Sequence, residues 1–306
     1  MNAKPLEPIP PNSEFLVLGN DKEVRRENIW RDRHRKITTI NDCYICFLDI
    51  LGFKELAQND LTNLQEILKI FTNYISGSVY KRKTNADELK RSKEPNNNNN
   101  HKLKILIISD SIIITTENKS FKALATLIDT SIDFVSASYT AGLALRGVIT
   151  KSNLLDCSFM DNDYDLNMNI LWGAGIAKAF QQEKSLEISG CAIDPEITVL
   201  ENFLNKDKFR DYKNKIIKYK VPLKKDADTE NMKTKEMYMV NWLTAPFFKS
   251  SIANPTENPP DPDLENIKKA FLKKGTIENL EASVKTKLQN TITLYNYLKG
   301  LTGNKK

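Results

Sequence analysis

Cys43-Tyr-Ile-Cys-Phe-Leu-Asp-Ile-Leu-Gly-Phe53 is the stretch whose reading decides the fold. Residues 43–50 are an apolar run rich in β-formers and too short for a buried helix, and Leu51, Gly52 and Phe53 follow as a tight turn. The run predicts a buried strand. Beyond it Leu61, Leu64, Ile67, Leu68, Ile70, Phe71 and Ile75 recur at helical spacing, so one long helix over residues 56–80 is expected next.

Working outward, two isoleucine-rich stretches, 105–108 and 112–114, are interrupted by Ser109-Asp110-Ser111, which predicts a β-hairpin with a carboxylate at its tip. A second amphipathic helix is expected over 124–141, a strand carrying Arg146 over 144–150, and a Gly/Ala-rich helix over 172–182. Shorter strands are expected at 192–197, 216–221 and 237–242. This order predicts an α/β (α+β) fold, a ferredoxin-like or palm-like βαββαβ sheet with helices on one face. Residues 1–40, Pro-rich and then highly charged around Val24, Ile29 and Trp30, are expected to form an N-terminal arm. The central domain spans 41–245. After the prolines at 255, 259, 260 and 262, residues 246–306 are expected to form a helical tail. Its face of Leu280, Val284, Leu288, Ile292 and Tyr295 is expected to pack on its own domain. Five consecutive asparagines, 96–100, read as part of a flexible loop.

Composition narrows the chemistry. With 306 residues, 40% hydrophobic and 27% charged, the chain can build one sizeable core. No apolar run approaches the roughly 20 residues of a membrane span, and Met1 to Pro11 has no leader pattern, so a cytoplasmic protein is expected. Four cysteines, at 43, 46, 157 and 191, make no disulfide framework. The net charge of +6 suits an anionic ligand and equally suits lysine-rich solvated helices. The only two histidines, His34 and His101, sit in polar stretches, which leaves almost no material for histidine metal sites or a Ser/His/Asp triad.

Carboxylates remain. Asp49 lies within an apolar strand, where an unpaired charge would cost several kcal/mol, and Asp110 lies between two isoleucine runs. In a βαββ arrangement the first strand and the hairpin are sheet neighbours, so both can face one site. Two hard oxygen anions at one place suit Mg2+ or Mn2+, which keeps water and a triphosphate as its other ligands. The alternative is that each is an exposed turn residue at a strand end.

These residues carry a resemblance. Phe47-Leu-Asp49-Ile50-Leu-Gly52-Phe53 resembles the metal-binding first strand of class III nucleotidyl cyclases, and Ser109-Asp110-Ser111 resembles their second metal aspartate on its hairpin. Leu145-Arg146-Gly147-Val148-Ile149 resembles the strand whose arginine contacts triphosphate, and Trp172-Gly173 with Ile176 and Ala179 resembles the start of the catalytic helix. More closely, Arg146 to Lys151 and the one-domain layout resemble the pyrimidine cyclases of the bacterial Pycsar anti-phage system. The resemblance implies two Mn2+ or Mg2+ ions held by Asp49, Asp110 and the Ile50 carbonyl. It also implies phosphate contacts from Leu51, Gly52, Phe53 and Arg146, a homodimer with sites across its interface, and a downstream effector sensing the cyclic product. No nucleic-acid or membrane partner is implied.

The departures from the family shape the rest. Its transition-state asparagine and arginine fall on Ala177 and Gln181, so a silent nucleotide-binding protein, or a replacement donor such as Lys178 or a partner's basic residue, stays open. Its purine-reading lysine and aspartate fall on Leu106 and Ile170, which favours UTP or CTP over a purine, with Phe47 and Lys104 near the base. A purine cyclase is the other enzymatic alternative. Lys233 or Lys235 is a candidate phosphate lysine. Cys43 and Cys46, three apart on a strand, face opposite sides and read as structural; Trp30 and Trp242 read as packing residues. The basic stretch Lys81-Arg82-Lys83 with Lys90-Arg91 reads as a solvated loop.

Overall fold

A computed structural model describes residues 35–73, 75–76, 103–161, 166–224, 233–245, 261–272 and 277–303. They fall into two units. The smaller comprises residues 35–39, 155–161 and 166–171, and the larger holds the remainder.

Strand β1 runs Arg35–Ile50, longer than the apolar run alone predicted. Gly52 then turns the chain with φ 68°, a left-handed conformation that glycine adopts without a Cβ penalty. Helix α1, Phe53–Asn59, follows, and α2 covers 61–73. The single helix expected over 56–80 is therefore interrupted at Asp60, whose N–H still closes on the Leu56 carbonyl. Strands β2, Leu103–Ile108, and β3, Ser111–Thr116, form the expected hairpin. Ile108 pairs with Ser111, which leaves a two-residue turn of Ser109 and Asp110, and Ser109 takes the positive φ of 56° that such turns favour.

Helix α3, Phe121–Thr140, is capped by the Ser120 side chain, which accepts from the Ala123 N–H. Strand β4, Leu145–Asp161, and an unforeseen β5, Leu166–Trp172, lead into α4, Ala174–Ser185, and β6, Gly190–Ile193. Two short helices, α5, Leu200–Leu204, and α6, Tyr212–Lys215, precede β7, Ile216–Leu223, and β8, Lys233–Val240. The sheet order is β2-β3-β1-β4-β6-β8-β7, with β5 beside β4. Its first four strands, joined through α1–α2 and α3, are the ferredoxin-like βαββαβ arrangement, with β1–β3 and β2–β3 antiparallel.

Strand alternation assigns the two faces of β1. Tyr44, Cys46, Leu48 and Ile50 are buried in the main core, where the Ser131 hydroxyl of α3 donates to Cys46 Sγ at 3.3 Å. Ile45 and Phe47 face the other way and meet α4. There Gly175 permits the approach: a Cβ on it would stand 2.8 Å from Ile45 Cδ1 and 2.1 Å from Ser152 Cβ. Helices thus take both faces at β1, an addition to the one-face layout read from the sequence. Cys43 Sγ donates to the Ser152 carbonyl and Cys46 Sγ lies 3.8 Å from Cys191 Sγ, so the two cysteines point apart as expected.

Helices α7, Pro262–Leu272, and α8, Ala282–Gly303, belong to the larger unit. Leu288, Leu294, Tyr295 and Leu298 of α8 are buried in its core. Thr291 Oγ1 accepts from the Ser189 N–H at 3.0 Å, Asn290 donates to the Glu187 carbonyl, and Ser189 joins Tyr139 to the Leu145 carbonyl. The segment from Leu186 to Ser189 is therefore stitched to α8. Trp242 is fully buried against Tyr139, a packing residue as read; Trp30 and the asparagine run lie outside the described residues.

Candidate active site

Sheet register places the two aspartates. Asp49 pairs with Ser111, the residue after Asp110, and the Ile50 N–H donates to the Asp110 carbonyl at 2.9 Å. The end of β1 and the hairpin tip are thus one structural edge. The Asp49 side chain is 23% exposed. Burial pushes its carboxyl above the usual carboxylate range, Arg146 pulls it back, and the charge of Asp110 raises it again. A carboxylate disfavoured by both burial and a like charge is a site that a hard cation would relieve. Among the described residues no cluster of three or more metal-ligating side chains occurs, so a cation here would have two aspartates, main-chain oxygen and ligand oxygens as its donors. That donor set fits Mg2+ or Mn2+.

Arg146 sits differently from the phosphate-reaching residue the sequence suggested. It is 6% exposed, its Nε donates to Glu183, its Nη1 to the Leu186 carbonyl at 3.2 Å, and its Nη2 lies 3.7 Å from Asp49. Glu183, 1% exposed on α4, was not singled out from the sequence. Burial pushes its carboxyl up to about 7, against the pull of Arg146. A signal for it existed: Gly175, Ala179 and Glu183 form the buried stripe of α4, and a charge on such a stripe requires a partner.

The turn after β1 has one amide already committed, since the Leu51 N–H donates to the Ala144 carbonyl at 2.9 Å. Phe47 and Leu106 both register with Ile113, so they share one row on the Asp49 face, and Lys104 stands one pleat away on that face. Phe47 is 4% exposed and meets Phe180 of α4 edge-on at 5.6 Å, so its ring is packed in this structure. Ile170 lies on β5 in the smaller unit, and its side chain is outside the described residues.

Helix α4 resolves the question of positive charge. Lys178 is engaged with buried Asp194 at 2.8 Å and with Glu196, and does not serve the aspartates. Ala177, Gln181 and Lys184 share the exposed face of the helix, at i, i+4 and i+7. Lys184 Nζ lies 3.9 Å from the centre of the Phe180 ring. Both Lys184 and Lys224 lower the Asp49 carboxyl by their charge, and the Lys224 N–H donates to the Ser185 carbonyl at 2.7 Å. Lys233 and Lys235 lie on β8 opposite Leu223 and Val221.

No protein-family profile matches the chain, and none of the curated proteins does. Solved structures with some likeness include the adenylyl cyclase CyaB from P. aeruginosa, at 15% identity over 67% of this chain and 95% of that one, with a TM-score of 0.38. The guanylyl cyclase Cya2 is 11% identical over 68% of this chain and 94% of that one, with a TM-score of 0.36. A bacterial light-regulated adenylyl cyclase is 13% identical over 68% and 92%, with a TM-score of 0.38.

Proposed function

We propose that this chain is a metal-dependent nucleotidyl cyclase that converts a pyrimidine nucleoside triphosphate, UTP in preference to CTP, to the 3′,5′-cyclic monophosphate and pyrophosphate. The observation that carries the reading is the joining of Asp49 and Asp110 at one sheet edge, through the Ile50 to Asp110 main-chain bond, with Asp49 disfavoured as an anion by burial and by its neighbour. Asp49, Asp110 and the Ile50 carbonyl would hold two Mn2+ or Mg2+ ions. Bound there, the ions supply Lewis acidity to the ribose 3′-hydroxyl and to the phosphates. The 3′-oxygen forms a bond to the α-phosphorus, the α–β phosphoanhydride bond breaks, pyrophosphate leaves with its electron pair, and the hydroxyl proton passes to solvent.

The chain's own groups orient and neutralise. Arg146, fixed by Glu183 and the Leu186 carbonyl, holds Asp49 in place and brings positive charge next to the phosphates. The turn Leu51 to Phe53 lies along the phosphate chain. In the row beside it Phe47 and Leu106 are apolar and Lys104 supplies one donor, a pairing that suits a small base. The reading includes a homodimer with two shared sites, in which Ile170 would belong to the base-pocket side. No helix of the described residues is long and apolar enough to cross a membrane. On this reading the chain is a cytoplasmic second-messenger synthase of anti-phage defence whose product an effector reads.

The exposed, uncharged Ala177 and Gln181 favour a second reading, a silent nucleotide-binding protein. Incubation of the purified protein with each of the four ribonucleoside triphosphates and Mn2+, with products identified by mass spectrometry, decides. Cyclic UMP or cyclic CMP is the expected product. A cyclic purine product would overturn the specificity, and no cyclic product from any of the four would favour the silent protein. Mixing Asp49→Asn with Ile170→Arg should restore activity in the mixed dimers, and a fully active monomer would overturn the shared site.

A further inference from the structure

A nucleotide bound beside Asp49 needs more positive charge than the buried arginine can give. Arg146 has its guanidinium distributed among Glu183, the Leu186 carbonyl and Asp49, so its donors are largely engaged before a phosphate arrives. Even with two divalent ions, the aspartates and a triphosphate leave a net charge of about −2 in a partly desolvated place. Lys178 is committed to Asp194 and Glu196. Lys184 differs from both. Its side chain is exposed, no carboxylate among the described residues pairs with it, and its ammonium rests on the ring of Phe180. A contact of that kind at an exposed position is weak, so a phosphate can draw the ammonium away from the ring. Phe180 in turn meets Phe47, which stands two residues before Asp49 on the same face of β1. The rings therefore set the lysine on the side of the sheet that carries the aspartate.

We propose that Lys184, with Phe180 as its resting platform, is a phosphate-binding residue of this site that closes on the triphosphate of the bound nucleotide. The inference rests on the nucleotide site proposed above. Its test is binding of inorganic tripolyphosphate in Mn2+ by calorimetry, together with steady-state kinetics on whichever triphosphate the wild type cyclises. Lys184→Ala should bind tripolyphosphate about tenfold more weakly and lose about tenfold or more in kcat/KM, with Lys184→Arg regaining most of both. Lys213→Ala, which removes an exposed charge on α6, should match the wild type and so exclude a net-charge effect. Equal tripolyphosphate affinity and equal kinetics in wild type and Lys184→Ala would overturn the proposal. A wild type that binds tripolyphosphate through Lys184 yet cyclises nothing would overturn the cyclase reading and leave this inference standing. In a wild type that cyclises but binds no tripolyphosphate, a kcat/KM left unchanged by Lys184→Ala would overturn the proposal.

Discussion

The two faces of β1 are made from alternate residues of one strand, yet they differ in kind. Tyr44, Cys46, Leu48 and Ile50 enter the main core beneath α3, each 2% exposed or less. On the opposite face Cys43, Ile45 and Phe47 are covered in succession, and the cover ends at Asp49, whose side chain is 23% exposed. One face is closed from Tyr44 to Ile50; the other opens where the carboxylate stands. Stability and chemistry are thereby separated by a single pleat, which permits substitutions that strike one and spare the other.

The largest expected effect lies on the open face. Asp49→Asn and Asp110→Asn should each lower cyclic nucleotide formation by about a thousandfold or more, roughly 4 kcal/mol of transition-state stabilisation, while the thermal midpoint holds or rises because a repelling pair has lost a charge. Near-normal turnover by either variant would remove the site. Leu48→Ala, one residue from Asp49 but on the closed face, should do the converse. It should cost about 3 kcal/mol in denaturant unfolding and leave turnover per folded molecule within about twofold.

A smaller effect is expected from Glu183, and its sign follows from linkage. An ordinary glutamate titrates near 4.5, and burial raises this one to about 7. Below 4.5 both folded and unfolded chains carry the proton. Between 4.5 and 7 the unfolded chain has released it and the folded chain has not, so stability falls as pH rises through that window. Glu183→Gln should flatten the plot of thermal midpoint against pH between 5 and 7, leaving the shares that belong to Asp263, which burial raises to about 6, and to Asp49, whose carboxyl is also raised. An unchanged slope would show that Glu183 is ionised throughout. The smallest effect should come from Gln181→Ala, on the face of α4 shared with Lys184: within about 0.5 kcal/mol in stability and within twofold in activity.

The sequence was legible where periodicity and interruption coincide. An apolar run with one aspartate gave β1 and Asp49, and a carboxylate between isoleucine runs gave the hairpin and Asp110. The βαββαβ order gave their adjacency in the sheet. Boundaries were less legible: β1 extends back to Arg35 because strand pairing can continue through polar residues, and the helix after Gly52 breaks at Asp60 although its apolar spacing does not. Strand β5 and the two short helices before β7 lack a strong period of their own. The partners of Arg146 were hidden for a different reason. Glu183 is 37 residues away in sequence, and only the fold of α4 across β1 and β4 shows that the arginine is occupied while Lys184 is not. Spacing could place charges on faces of α4, but it could not say which of them were already paired.

The attachment of α8 to the segment after α4 has a consequence for the order in which the protein matures as it is made. Ser189 is fixed through Thr291, which lies 102 residues later in the chain. A ribosome adds about 5–20 residues each second, so this part of the nascent chain waits on the order of 5–20 s for its counterpart. During that interval the two aspartates of β1 and the hairpin have already been synthesised, while the backbone leading from Glu183 and Lys184 into β6 has its bonds to Arg146, Tyr139 and Leu145 but lacks those to α8. The geometry of the proposed site is therefore completed late in translation, and a pause before α8 would hold a chain that has the two aspartates but not the final anchor of α4.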